Sequence, residues 1–154
     1  MSNLAVENGS RVAFEPRLLV NKNELATMAE IIQEFIEQGE QIRSGRDAEN
    51  FRARIRETVL RMAANPDRLT NARAEEPGDV MEFLTDLPYR SRVLQISAQR
   101  WVENAMERRA VLDDLRPMLR QYRIWLADPT VWTALYDGAP DGEMVYAMPF
   151  GMLP

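Results

Sequence analysis

SAQRWVENAMERRAVLDDLRPMLRQYRIWLA, residues 97–127, is the stretch on which the fold turns. Trp101, Ala105, Leu112, Leu115, Leu119, Tyr122 and Leu126 recur along it at helical spacing, which gives one apolar side. From Leu112 onward the steps follow the heptad rhythm, yet Arg108 occupies the preceding seam position and too few heptads are sustained for a coiled coil. The spacing therefore predicts one long bundle helix over about 97–127. Pro117 lacks the N–H that the helical ladder needs, so a kink or restart is expected there, with Asp113 or Asp114 as a cap. Trp101 and Trp125 lie in or beside the seam and read as core.

Two further helices are written upstream. From Asn21 or Asn23 as N-cap, Leu25, Met28, Ile32, Phe35, Ile36 and Ile42 repeat at helical spacing until Ser44-Gly45, with Gly39 as the weak point. Asp47 is the expected cap of a second helix with the seam Phe51, Ile55, Val59 and Met62, stopped by Asn65-Pro66. Arg52 and Arg56 fall on one side of that seam and Arg54 and Arg61 on the other, as stems lying along its edge with their guanidinium heads in water. Residues 65–79 hold Pro66, Pro77 and Gly78 and form the main connection, followed by a short helix near 80–86 that Pro88 ends.

The ends read as extended. Arg11 to Phe14 and Leu18 to Val20 are short apolar pieces split by Pro16. Thr130 to Tyr136 is β-branched and aromatic, Asp137 to Gly142 is a turn, and Glu143 to Met148 reads as a return strand. The fold class expected is mainly α, with three principal helices plus one or two short ones. Residues 1–20 form an extended N-terminal arm, 21–128 the bundle, and 129–154 a C-terminal β-hairpin and apolar tail, the hairpin free to pair with the arm.

Composition limits the chemistry. The 154 residues include no Cys and no His, which removes thiol nucleophiles, Ser-His-Asp relays and thiolate or imidazole metal sites. The N-terminus shows no basic segment followed by an apolar run, and charges interrupt every apolar stretch. A soluble chain is expected, cytoplasmic or carried in a particle assembled in the cytosol, with no membrane contact. All but one of the 19 basic residues are Arg, a bias that reads as GC-rich coding. The net charge of -5 is spread in alternating blocks: residues 1–40 are negative, 41–73 positive, 74–87 negative, 88–128 positive and 129–154 negative. Such alternation suits helices packing on one another and disfavours a nucleic-acid face.

The candidate sites follow. Arg109, Arg116, Arg120 and Arg123 project to one side of the long helix, beside the apolar seam, and form the best basic stripe in the chain. Trp132, Tyr136, Tyr146 and Phe150, interleaved with Met148 and Met152, crowd the terminal hairpin; they either cap the bundle's own core or meet another surface. For Phe150, Met152 and Leu153 the interface reading is preferred, because little chain remains after Pro149 with which to fold back. Tyr89, Arg90 and Arg92 lie beyond a helix break, where Arg forks and backbone N–H groups suit an anion. Glu34-x-x-Glu37 and Glu76-x-x-Asp79 resemble the paired carboxylates with which all-α nucleotide pyrophosphohydrolases hold magnesium. Pro77-Gly78 departs from the helical spacing, and Glu30, Glu34 and Glu37 lie opposite the apolar seam, as a solvated face does.

The functional expectation is a non-catalytic interaction or assembly module, such as an accessory subunit, adaptor or particle component. It would dock through its terminal arms on a protein partner or on copies of itself, with no cofactor. The alternatives are a small magnesium-dependent nucleotide-processing enzyme and an Arg-mediated nucleic-acid binder.

Overall fold

The computed structural model describes residues 17–64, 68–70, 82, 85, 86, 91–128, 130 and 145–154. In chain order these form β1 (Arg17–Asn21), α1 (Lys22–Gln38), α2 (Gly45–Ala63), β2 (Leu69–Thr70), α3 (Arg92–Gln95), α4 (Ala98–Glu103), α5 (Ala105–Ala127) and β3 (Val145–Pro149). The architecture is mainly α, with α1, α2 and α5 as the principal helices and α3 and α4 as the short ones. The expected short helix near 80–86 falls mostly outside the described residues.

The start of α1 is fixed by Asn21. Its Oδ1 accepts from Glu24 N at 2.8 Å while its own N–H donates to Glu24 Oε1 at 2.9 Å, a reciprocal capping box. Glu24 also receives the Arg68 guanidinium, whose Nη1 donates to Oε2 at 2.6 Å, so the chain just before β2 is tied to the first turn of α1. Leu25, Met28, Ile32 and Phe35 are buried as their spacing required, joined by Ala29 and Ile31, while Ile36 is only partly covered.

Gly39 ends α1 in a single 3-10 turn, after which Ile42 returns to the core. The glycine serves close approach here, since its φ of -59° is open to any residue. A Cβ at this position would lie 2.9 Å from Leu112 Cδ2 and 3.4 Å from Trp101 Cζ2. Helix propensity alone favours alanine by about 1 kcal/mol. Leu112 is fully buried and has no room to yield, so overpacking wins. Gly39→Ala is expected to lower the unfolding free energy by about 1 kcal/mol net in urea titration, and a gain would show that α5 can move away.

The N-cap of α2 is Ser44, three residues before the expected Asp47; Ser44 Oγ accepts from Arg46 N at 3.2 Å. Ile55, Val59 and Met62 are buried, and Phe51 is half-buried against Phe35 in an edge contact with centroids 5.4 Å apart. Arg52 departs from the expectation of a solvated head. It is 8% exposed, and its guanidinium donates to Val93 O at 3.2 Å, to Leu94 O at 2.7 Å and to Glu49 at 2.6 Å. The two carbonyls end a four-residue helix that cannot satisfy them itself, and Arg52 supplies their donors.

The expected single helix over 97–127 is two. Ser97 caps α4, and Asn104 interrupts the ladder by capping α5, its side chain accepting from Glu107 N at 3.1 Å. Arg108, 7% exposed, closes the break: its Nη1 donates to Trp101 O at 3.1 Å and to Val102 O at 3.3 Å. No restart occurs at Pro117, which sits inside the continuous α5. Asp113 and Asp114 are paired with Arg116 and Arg92 and cap nothing. Val111, Leu112, Leu115, Leu119 and Tyr122 are buried, and Trp101 packs edge-on against Phe35 with centroids 4.8 Å apart.

The strands form one antiparallel sheet in the order β2-β1-β3. Arm and tail therefore pair with each other, with Leu18 opposite Met148 and Val20 opposite Tyr146. Leu18, Val20 and Met148 are completely buried. Of the expected first hairpin arm only Thr130 is described. It is helical rather than extended, with its N–H and Oγ1 both bonded to Asp128 Oδ1, and these bonds hold the Asp128 carboxyl below the usual range. Residues 131–144 lie outside the described residues. No helix among the described residues is long and apolar enough to cross a membrane.

Candidate interaction face

α1 and α5 run antiparallel along one side of the bundle, as two contacts between them show. Gly39 adjoins Leu112, and at the other end the Arg123 guanidinium donates to Gln33 Oε1. Between them runs an open groove of about 570 Å³, floored by Ala26, Ala29, Leu119 and Leu126. One rim is α5, where Arg109, Arg116, Arg120 and Arg123 are all exposed. Arg116 pairs with Asp113 at 2.5 Å, whereas Arg109 and Arg120 make no ion pair among the described residues. Ile124 is 52% exposed beside this stripe.

The opposite rim is α1, which carries Glu30, Glu34 and Glu37. Glu34 is paired with Arg54 of α2, and Glu37 accepts from Gln33. Glu30 and Glu37 are exposed. Glu30, Glu34 and Arg123 line the groove itself, together with Arg54 of α2, while Glu37 and the other three arginines continue the acidic and basic sides along the two helices.

The remaining candidates have other places in the fold. Met148, Phe150 and Leu153 are buried in the chain's own core, which corrects the expectation that another chain covers the tail. The tail folds back because its backbone has donors waiting. The Tyr122 hydroxyl donates to Met152 O, and Ser91 Oγ and Val93 N, the latter at 3.3 Å, donate to Pro154 O. Burial pushes the Tyr122 phenol far above its ordinary value, so the hydroxyl keeps its proton. Met152 is partly covered; Tyr146 packs against Trp125 in a tilted ring contact with centroids 4.4 Å apart, and burial raises its phenol too. Trp132 and Tyr136 lie outside the described residues.

Of the anion-binding candidates, Tyr89 and Arg90 are outside the described residues, and Arg92 is paired with Asp114. Ser91 between them is a buried helix cap, its Oγ accepting from Leu94 N at 3.3 Å. Glu34 and Glu37 are engaged as described, Glu76 and Asp79 lie outside the described residues, and no group of three or more acidic side chains gathers among the described residues. A polar cleft of about 470 Å³ joins the end of α1 to α2, but both of its Arg side chains are taken: Arg43 folds onto Glu40 O and Ile42 O, and Arg54 holds Glu34. Comparison with family models, with curated proteins and with solved structures finds no match to this chain.

Proposed function

We propose that this chain is a non-catalytic interaction or assembly module that docks through the α1/α5 face, in a cytoplasmic or particle-borne setting. The reading moves the docking surface to the groove from the terminal arms, where Arg17–Asn21 and Val145–Pro149 pair with each other in the sheet and Phe150 and Leu153 are buried in the core. The observation that carries it is the exposed arginine stripe, with Arg109 and Arg120 unmatched by any acid among the described residues, beside a groove with an apolar floor. Exposed guanidinium groups beside half-covered aliphatic side chains suit a protein surface, where charge steers encounter and apolar contact holds the complex. The acidic wall 30/34/37 speaks against nucleic acid, since phosphates laid along the stripe would meet it.

The test is reversal of Arg116, Arg120 and Arg123 to Glu together, in a tagged chain purified from its native source. These positions are exposed, so the variant is expected to keep its helical circular dichroism. Proteins that co-purify with the wild type are expected to be lost. Tight, salt-sensitive oligonucleotide binding that vanishes in the same variant would replace the protein-partner reading with a nucleic-acid one.

A further inference from the structure

We infer that the α1/α5 face pairs with the same face of a second copy of this chain, about a two-fold axis parallel to the two helices. The inference rests on the interaction reading above and names its partner. A face with one basic and one acidic wall is self-complementary in only some orientations. A two-fold axis perpendicular to the helices, within the plane between the copies, would lay α1 on α1 and α5 on α5, setting Glu against Glu and Arg against Arg. An axis parallel to the helices instead lays α1 of each copy over α5 of the other, acid over base, twice by symmetry.

The heights also agree. A two-fold rotation about an axis parallel to the helices leaves every residue at its own level along them, so contacts within one chain give the levels across the interface. Gly39 is beside Leu112 and Gln33 reaches Arg123. On that scale Glu30 lies level with Arg123 and Glu37 level with Arg116 and Arg120, to within about one helical turn. Glu30 and Glu37 are themselves two turns apart on one stripe of α1, as Arg116 and Arg123 are on α5. The apolar floor of the groove lies between these charge rows, with Ile124 exposed beside them.

The area sets the strength. α1 has 17 residues and is about 25 Å long, and two helices about 10 Å apart present on the order of 500 Å² per copy. This falls below the roughly 800 Å² per partner of a stable complex. The pair is thus a concentration-dependent dimer, one that a larger assembly would reinforce.

The experiment is sedimentation equilibrium of the full chain with two charge variants, R116E/R120E/R123E and E30R/E37R. The wild type is expected to move from 17.7 kDa toward twice that mass as concentration rises. Its dissociation constant should weaken at least about tenfold in roughly 0.5 M NaCl. Each variant alone is expected to stay monomeric. An equimolar mixture is expected to recover the dimer, because in the mixed pair both helix contacts are again opposite in charge; this recovery also shows that both variants are folded. A wild type that remains monomeric at about 1 mM, dimers that survive in either variant, or a mixture that fails to associate would each overturn the inference. If the wild type is monomeric yet the arginine reversal still strips other proteins from it, only self-association falls. If the reversal strips nothing, the interaction reading itself falls.

Discussion

Deletion of residues 149–154 is expected to destabilise the isolated chain by about 3 to 5 kcal/mol. Phe150 and Leu153 are 8% and 7% exposed and Met152 is partly covered, and burial of each such side chain contributes roughly 1.5 to 3 kcal/mol. The deletion also removes the acceptors of the Tyr122 hydroxyl, Ser91 Oγ and Val93 N. A buried donor left without a partner costs about 1 to 3 kcal/mol, and Tyr122 is fully buried. Against this stands the freedom the six residues regain, about 1 kcal/mol or more each, which brings the gross loss down to the expected range. At this chain length the thermal midpoint should fall by on the order of 10 °C, read by circular dichroism. Because the tail lies off the α1/α5 face, whatever fraction stays folded should still associate. An unchanged midpoint together with lost association would return the tail to its role as a docking arm.

The sequence makes the local elements of this fold visible and hides the joints. Asn21 is one of the two caps the sequence offered for α1, and apart from Ala105, which is exposed, the seams of α1, α2 and α5 lie where their spacing put them, because caps and periodicity are properties of a few adjacent residues. The break between α4 and α5 escaped because it changes no phase: the apolar side continues from Trp101 through Leu112 as if the helix were whole. A signal was present in Asn104-Ala105-Met106-Glu107, an N-cap with Glu three positions on, the same Asn-x-x-Glu spacing that starts α1. In the structure Glu107 leaves that box unclosed and pairs with Arg100 Nε at 2.6 Å instead. Arg52 was beyond reach for another reason, since its carbonyl partners lie 41 and 42 residues away. The same holds for the tail: its apolar character was plain, but its cover comes from α5 and from Ser91. The stripe Arg109, Arg116, Arg120, Arg123 was legible from helix geometry alone. Its acidic counterpart became visible only when α1 was found antiparallel beside it.

Arg52→Met and Arg108→Met are expected to cost about 3 to 5 and about 2 to 3 kcal/mol respectively in urea denaturation, far more than the same change at their neighbours. Each guanidinium satisfies the last carbonyls of a helix too short to satisfy them itself: Val93 and Leu94 at the end of α3 for Arg52, Trp101 and Val102 at the end of α4 for Arg108. A cation at a helix C-terminus is favoured by the helix dipole as well. Methionine keeps the stem packed but leaves those carbonyls bare where water has little access. Arg52 carries the larger loss because Glu49 also forfeits its close pair and keeps only Arg56 at 4.0 Å. At Arg108 the effect spreads through Trp101, which that contact holds in place against Phe35. Lysine at either position keeps the charge but not the planar fork, so Arg52→Lys and Arg108→Lys should fall between wild type and Met. Arg109→Met supplies the contrast: the residue is exposed, and the change should stay within about 0.5 kcal/mol. Equal losses at Arg108 and Arg109 would mean that the α4 carbonyls find water and that the buried guanidinium contributes no more than a surface one. A loss at Arg108 several times that at Arg109 would establish that, in a chain where nearly every cation is arginine, two of them act as helix caps.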